Sequence, residues 1–485
     1  MTTTDPATDL DAHPLPADSS DSSDSSDIAD TADTGGAAAR RYHARYGSVL
    51  PAIDLAAGNT PPKHHPGTPV IPLPFPPGPS LSDASSADSS STQHDQVAIG
   101  NLGSLLALLG GVTRIDWTGA GVGPGRPVPS GGGAYPGEVY AATAFGLCHY
   151  LPAAHALELL SAADLRADLA GALRPCPTTP AGPATCQTRP GRPPAGQPEL
   201  VLLITSRQDA NLARYGPFGH RLQALDTGVL AGQALTLLAA AGARPTAHGL
   251  FADQALGGLL GLDPRAERVH AVVTSGPVGP VVRTAALLDR RSARSGFEPT
   301  PVPLARLADL LAHATAPFPH DELDGPGGVG DPGDAGCELY VVAGRVTGLD
   351  PGCHRYDPRT GELVPLALGA TPRDLFPPGG PGELAGFESA CALLVVGDYE
   401  QGYQEYGDRW YRMLNLRAGI LGQRIGLAAA HTGLGAGLRC DFVTEGTDRL
   451  LRTPPERTAL LAALIGPERG SGAPAHHLLP TGGHR

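Results

Sequence analysis

Lysine is nearly absent from this sequence. Lys63 is the only one, so arginine supplies almost the whole Lys+Arg total of 35 in 485 residues. With the excess of Ala, Gly and Pro, this is the coding bias of a GC-rich genome and carries no chemistry. The seven cysteines are scattered without a C-x-x-C pair. No disulfide framework or zinc site is therefore expected, and a reduced, cytoplasmic setting fits best. The two tryptophans, Trp117 and Trp410, are too few for an aromatic nucleic-acid platform. No apolar run approaches the ~18 residues of a membrane span, and no basic n-region with an apolar h-region predicts a signal peptide. P-loop, H-E-x-x-H and G-x-S-x-G strings are missing, which removes nucleotide hydrolases, zincins and α/β-hydrolases from consideration.

Charge of one sign is also confined. The net charge is −13, but nine aspartates (Asp5, Asp9, Asp11, Asp18, Asp21, Asp24, Asp27, Asp30, Asp33) precede Arg40, the first basic residue. The remainder carries only −4, with no basic nucleic-acid footprint. Residues 1–38, rich in Asp and Ser, have the composition of a disordered acidic tail. Residues 39–96 read as a Pro/Ser-rich arm or linker, with His64 and His65 solvated. From 97 the pattern turns globular, interrupted by a Pro-rich insertion at 174–198, and 471–485 read as a flexible C-terminus.

What is abundant is internal repetition. A shift of 191 residues lays 213–232 on 404–423, matching Tyr215 with Tyr406, Arg221 with Arg412, Leu225 with Leu416 and Gly228 with Gly419. The same shift matches Phe251 with Phe442. A second stretch repeats with a five-residue internal shift, matching Glu138 with Glu338, Tyr140 with Tyr340, Cys148 with Cys353 and His149 with His354. Each half then reads strand (138–145; 338–343), hairpin strand (147–150; 353–356) and strand (200–205; 391–397). A long helix follows (221–242; 411–433), then a short strand and a final helix–strand unit (254–275; 445–465). The long helices are apolar on every face and so are buried. The halves, 97–280 and 281–470, are expected to pack through them as an α+β pseudo-dimer. His149 and His354 are duplicated fold positions rather than metal ligands, and Cys148 and Cys353 are packing thiols.

Four segments carry candidate chemistry. The loop RPVPSGGGAYPGEVY (126–140) can free backbone N–H groups and one hydroxyl for a flat or anionic ligand, or can be a plain turn. The run DRRSARSGF (289–297) can cradle phosphate through bidentate arginines, or be a solvated basic linker. ARYG (213–216) and QEYG (404–407) place a tyrosine just before each buried helix, as an acid–base group or a packing residue. HTGLGAGLRCDF (431–442) is a Gly-rich turn after the second helix, with Gly433 suited to a helix C-cap.

Together, in this order, these segments resemble the nitroreductase superfamily, and more narrowly its SagB/ThcOx-type azoline dehydrogenases. The resemblance covers roughly 97–470. It implies tandem nitroreductase-like halves forming an intrachain pseudo-dimer, each with an antiparallel or mixed sheet around long buried helices. It also implies FMN between the halves. Pro129, Ser130, Gly131 and Gly132 of the first half would face Arg290, Arg291, Ser292 and Arg294 of the second, with Gly435, Ala436 and Gly437 near the ring and Arg469 near the phosphate. The Arg segment occurs only before the second half and the Pro-Ser loop only in the first. One FMN per chain is therefore expected. The reaction implied is oxidation of thiazoline or oxazoline rings in a ribosomally made precursor peptide, within a possible cyclodehydratase complex. The family's frequent Lys-Tyr pair is replaced here by Arg214-Tyr215 and Glu405-Tyr406, so one of these tyrosines would be the base. A NAD(P)H-dependent nitro- or quinone reductase and a flavin-free scaffold are the alternatives. No metal, nucleic acid or membrane is expected, and a further homodimer is compatible.

Overall fold

The computed structural model describes residues 36–47, 60–75, 91–118, 121–173, 197–281, 285–317, 336–470 and 475–479. Almost all of the acidic tail and most of the Pro-rich insertion lie outside these residues. The first half runs α1 (Ala37–Tyr42), β1 (Val70–Pro72), α2 (Ser91–Gly110), β2 (Arg114–Thr118), β3 (Gly121–Gly125), β4 (Gly137–Thr143), β5 (Gly146–Leu151), β6 (Ala156–Ser161), α3 (Arg166–Ala172), β7 (Leu200–Arg207), α4 (Gln208–Tyr215), α5 (Gly219–Ala240), β8 (Thr246–His248), α6 (Asp253–Leu259) and β9 (Glu267–Ser275). The second runs α7 (Ala285–Asp289), β10 (Val302–Pro303), α8 (Leu304–Thr315), β11 (Cys337–Ala343), β12 (Val346–Thr347), β13 (Gly352–Asp357), β14 (Glu362–Leu368), α9 (Pro381–Glu388), β15 (Cys391–Asp398), α10 (Tyr403–Tyr406), α11 (Arg409–His431), β16 (Gly435–Arg439), α12 (Thr444–Leu451), β17 (Arg457–Gly466) and β18 (Ala475–His477). No helix among the described residues is long and apolar enough to cross a membrane.

The two main sheets repeat one topology. The first has order β1-β6-β5-β4-β7-β9-β8, the second β14-β13-β11-β15-β17-β16. Every pair in both is antiparallel. The central strands are buried almost throughout, so they read as continuous apolar runs such as Leu200–Ile204 and Cys391–Val396. The first sheet carries one strand more because the Pro-rich arm adds β1 at its edge, Val70 facing Glu158 in register. An edge is where a strand containing proline can sit. Residues 475–477, in the stretch expected to be flexible, pair with β2 as β18.

Helices α5 and α11 cross where the repeat places a glycine on each. A Cβ on Gly228 would lie 2.0 Å from the Leu416 carbonyl oxygen, and one on Gly419 would lie 2.1 Å from that of Leu225. Both obstacles are backbone and cannot yield, so only glycine permits the crossing. The matched arginines reach in opposite directions. Arg221 Nη2 donates to the Leu460 carbonyl at 2.5 Å, and Arg412 Nη1 to that of Val269 at 3.4 Å. The halves are thus related by a pseudo-twofold through this crossing.

Candidate active site

Ser130 is extended and opens a tight turn in which Gly132 and Gly133 take positive φ (57° and 70°). Ser130 Oγ accepts from the Tyr135 N–H at 2.9 Å and donates to Asp226 Oδ2 at 2.7 Å. The Gly131 N–H donates to Asp226 Oδ1 at 3.2 Å. Asp226 is buried on α5, and desolvation pushes its carboxyl up to about 6 against the two hydrogen bonds. From the far side, Arg214 Nη1 donates to the Gly132 carbonyl at 2.6 Å. A Cβ on Gly132 would fall 2.2 Å from Tyr215 Oη, so the turn must present bare backbone there. Burial raises the Tyr215 phenol above its usual range, with Arg214 opposing the rise.

The second half supplies the other wall. Ser292 pairs with Ala436, and the Ala293 N–H donates to the Ala436 carbonyl at 3.0 Å. The RRSAR segment therefore lies along β16. Its arginines have separate partners. Arg290 is buried, with Nε donating to the Pro127 carbonyl and Nη2 to that of Arg126 at 3.5 Å, which braces the first-half loop. Burial, aided by Arg114, brings its pKa down to about 9. Arg291 Nε bonds both oxygens of Glu468 at 3.1 and 3.0 Å. Arg469 Nη2 bonds Glu388 Oε1 at 2.7 Å. Arg294 is exposed, and its guanidinium makes no hydrogen bond or ion pair among the described residues.

Between these walls lies a cleft of about 290 Å³. Pro129, Ser130, Gly131, Gly132, Tyr215 and Asp226 line it from the first half, and Ser292, Pro381 and Leu438–Asp441 from the second. Its floor is apolar, from Leu222, Leu225, Val229 and Leu461. Arg439 and Asp441, neighbours on the second-half wall, pair with each other at 2.5 Å. Burial pushes the Cys440 thiol up to about 11.

Several expected site residues stand elsewhere. Gly435, Ala436 and Gly437 are strand backbone paired with 464–466, and the chain enters the cleft only at Leu438. Tyr406 stacks on Trp410 (centroids 5.6 Å apart) and does not line the cleft. The Glu405 side chain lies outside the described residues. Asp226 was missed by the motifs, and within 431–442 it is Leu438–Asp441 that line the cleft rather than the glycines. Asp226 did leave a signal, being the only acid in a helix buried along most of its length, at the place where the repeat puts Arg417.

The mirror position differs. Arg409 stands where the first half has Phe218. It donates to the Gly249 and Phe251 carbonyls at 3.0 and 2.8 Å and pairs with Asp253. Arg417, the counterpart of Asp226, lies over the Trp410 ring at 5.0 Å.

The architecture is a nitroreductase-like α+β fold in tandem halves. A solved structure from Anabaena variabilis, described as a nitroreductase, overlays 89% of this chain and 99% of its own with a TM-score of 0.71 at 22% identity. Two other overlaps are partial and add nothing to that assignment. A nitroreductase from Ralstonia eutropha covers 47% of this chain and 97% of its own (TM-score 0.30, 22% identity). A chain of the E. coli microcin synthetase McbBCD complex with truncated pro-MccB17 covers 35% and 66% (TM-score 0.30, 20% identity). No family model matches the sequence, and no curated protein matches it.

Proposed function

We propose that this chain is an FMN-dependent oxidoreductase that dehydrogenates thiazoline or oxazoline rings in a ribosomally made peptide. The observation that carries the flavin reading is the single cleft built jointly by the Pro129–Gly132 loop and Asp226 of one half and Ser292 with Leu438–Asp441 of the other. The residues present fit a flat, anionic group. A bare glycine turn over an apolar floor admits a ring, Ser292 offers a hydroxyl at the cleft wall, and the exposed Arg294 two residues on would supply a cation to a phosphate. The azoline reading rests on the motifs of the sequence.

When bound, the flavin supplies a two-electron acceptor. The chain's own residues hold and orient. Asp226 fixes the Ser130–Gly131 turn, Arg290 fixes the backbone at 126–127, the 291–468 ion pair ties the RRSAR segment to the chain just after β17, and Arg469, paired with Glu388, donates to the Phe297 carbonyl beyond it. Tyr215 Oη is the proposed acceptor of the substrate's Cα proton, with Arg214 stabilising its anionic form.

The test is the absorbance of the purified chain, followed by flavin quantified after denaturation. One FMN per chain is expected. A colourless protein that takes up no added FMN would sink the proposal. Mass spectrometry of an azoline-bearing peptide should then show two hydrogens lost per ring. Steady NAD(P)H oxidation with a nitroaromatic acceptor, without ring oxidation, would instead favour the reductase.

A further inference from the structure

Polar groups gather where the arm crosses the first sheet, on residues the proposed reaction does not use. His149 on β5 is fully buried. Its Nδ1 lies 2.9 Å from Glu158 Oε2 and its Nε2 3.2 Å from Glu138 Oε2. His65, expected to be solvated, is half-buried instead. Its ring lies 5.1 Å from that of His149, and its buried Nε2 has no hydrogen-bond partner among the described residues. The second oxygen of Glu158 accepts from the His65 N–H at 3.0 Å and lies 3.5 Å from His64 Nδ1. One donor atom from each of His65, His149 and Glu158 falls within 4.8 Å of the others.

The repeat separates framework from addition. His354 matches His149 and is also buried, as a duplicated fold position should be. The cross-strand neighbour of His149 is Glu158, whereas that of His354 is Pro365. Glu338 matches Glu138 but pairs with Arg457 and Arg355. Among the described residues the second half therefore builds the same hairpin with no carboxylate hydrogen-bonded to its histidine, Asp350 acting on it through charge alone. Glu158 and His65 belong to the first half alone, so packing does not require them. Nearby cations are otherwise engaged: Lys63 with Glu267, and Arg207 with Asp209 at 3.0 Å and Glu138 at 3.8 Å.

We propose that His65, His149 and Glu158 bind one divalent transition-metal ion, zinc by their donor set, which clips the arm onto the first sheet. Two imidazoles and a carboxylate are a donor set zinc accepts, with a fourth position left for water or His64. His149 ligates through Nδ1, because Nε2–H donates to Glu138. That carboxylate–histidine–metal arrangement fixes tautomer and ring orientation. Two tetrahedral ligands with bonds of about 2.0 Å stand about 3.3 Å apart, and the observed Nδ1–Oε2 separation of 2.9 Å needs little opening to match.

The experiment uses the tag-free full chain, stripped with a chelator and titrated with zinc by calorimetry, with cobalt as a spectroscopic probe. The expected result is one zinc per chain and the visible bands of tetrahedral cobalt. His65→Phe and Glu158→Gln should abolish the site. Glu138→Gln should weaken it about 10–100-fold, and His354→Gln should leave it unchanged. The Glu138 and His354 variants keep the test decisive should His65→Phe fail to fold. A parent chain that takes up no zinc, or zinc bound equally by His65→Phe and Glu158→Gln, would overturn the proposal. Neither outcome depends on whether FMN binds.

Discussion

The two positions related by the repeat share a backbone and differ in charge. On one side of the α5–α11 crossing, Asp226 gathers Ser130 and Gly131, and Phe218 lines an open cleft. On the other, Arg417 replaces the aspartate, and Arg409 replaces Phe218 and spans to the Gly249 and Phe251 carbonyls. Gly249 is the counterpart of Cys440, which lines the open cleft. Duplication sets where two such positions fall, and among the described residues these side chains set them apart.

The largest effect that breaks this comparison concerns the tyrosines. Tyr215→Phe should lower azoline turnover about 10²–10⁴-fold, the range for loss of a positioned acid–base group, while Tyr406→Phe changes it less than about twofold. Equal losses in single-turnover rates would deny the asymmetry. Next comes the shared crossing. Gly228→Ala and Gly419→Ala each drive a methyl into a carbonyl, and each should cost about 3 kcal/mol in urea unfolding, at the upper end for overpacking. A cost at one position only would deny the pseudo-twofold.

Flavin affinity comes third. Arg294→Ala should weaken FMN binding about 10–100-fold, the value of a charged hydrogen-bonding partner, whereas Arg409→Ala should leave it unchanged; fluorescence titration reads both. The smallest effect is in pH. The Asp226 carboxyl is raised by burial, so its protonated form suits the folded state and stability is lost as pH climbs through about 6. Asp226→Asn does not titrate. Relative to the parent it should gain on the order of 2–3 kcal/mol between pH 4 and pH 7. A stability difference that stays constant across that range in denaturant titrations would count against the buried carboxyl.

Much of the fold was legible because duplication preserves spacing. The matched Gly228 and Gly419 mark the helix crossing, and the paired strands fall within a few residues of their expected limits. The edge strands were harder to read. β1 lies inside a Pro-rich run, and β14 alternates exposed and half-buried residues without a clear apolar face. At the site, the Pro-Ser-Gly loop and the RRSAR segment do face one cleft across Ser130 and Ser292. Their arginines could not be ranked from sequence. The partners Glu468 and Glu388 lie 177 and 81 residues away from Arg291 and Arg469, and only the fold shows that the Arg294 guanidinium has no such partner among the described residues.

The glycine crossing of α5 and α11 also bears on concentration. In a dimer of separate subunits, a cleft between subunits empties as the partners dissociate on dilution, and every substitution appears twice. Here both walls belong to one chain, so each wall meets the other at a tethered effective concentration of the millimolar order. At a fixed free-ligand concentration, occupancy of the cleft should be the same at nanomolar and micromolar protein. One wall can also change without its twin following, the freedom that lets Arg409 and Phe218 coexist in one molecule.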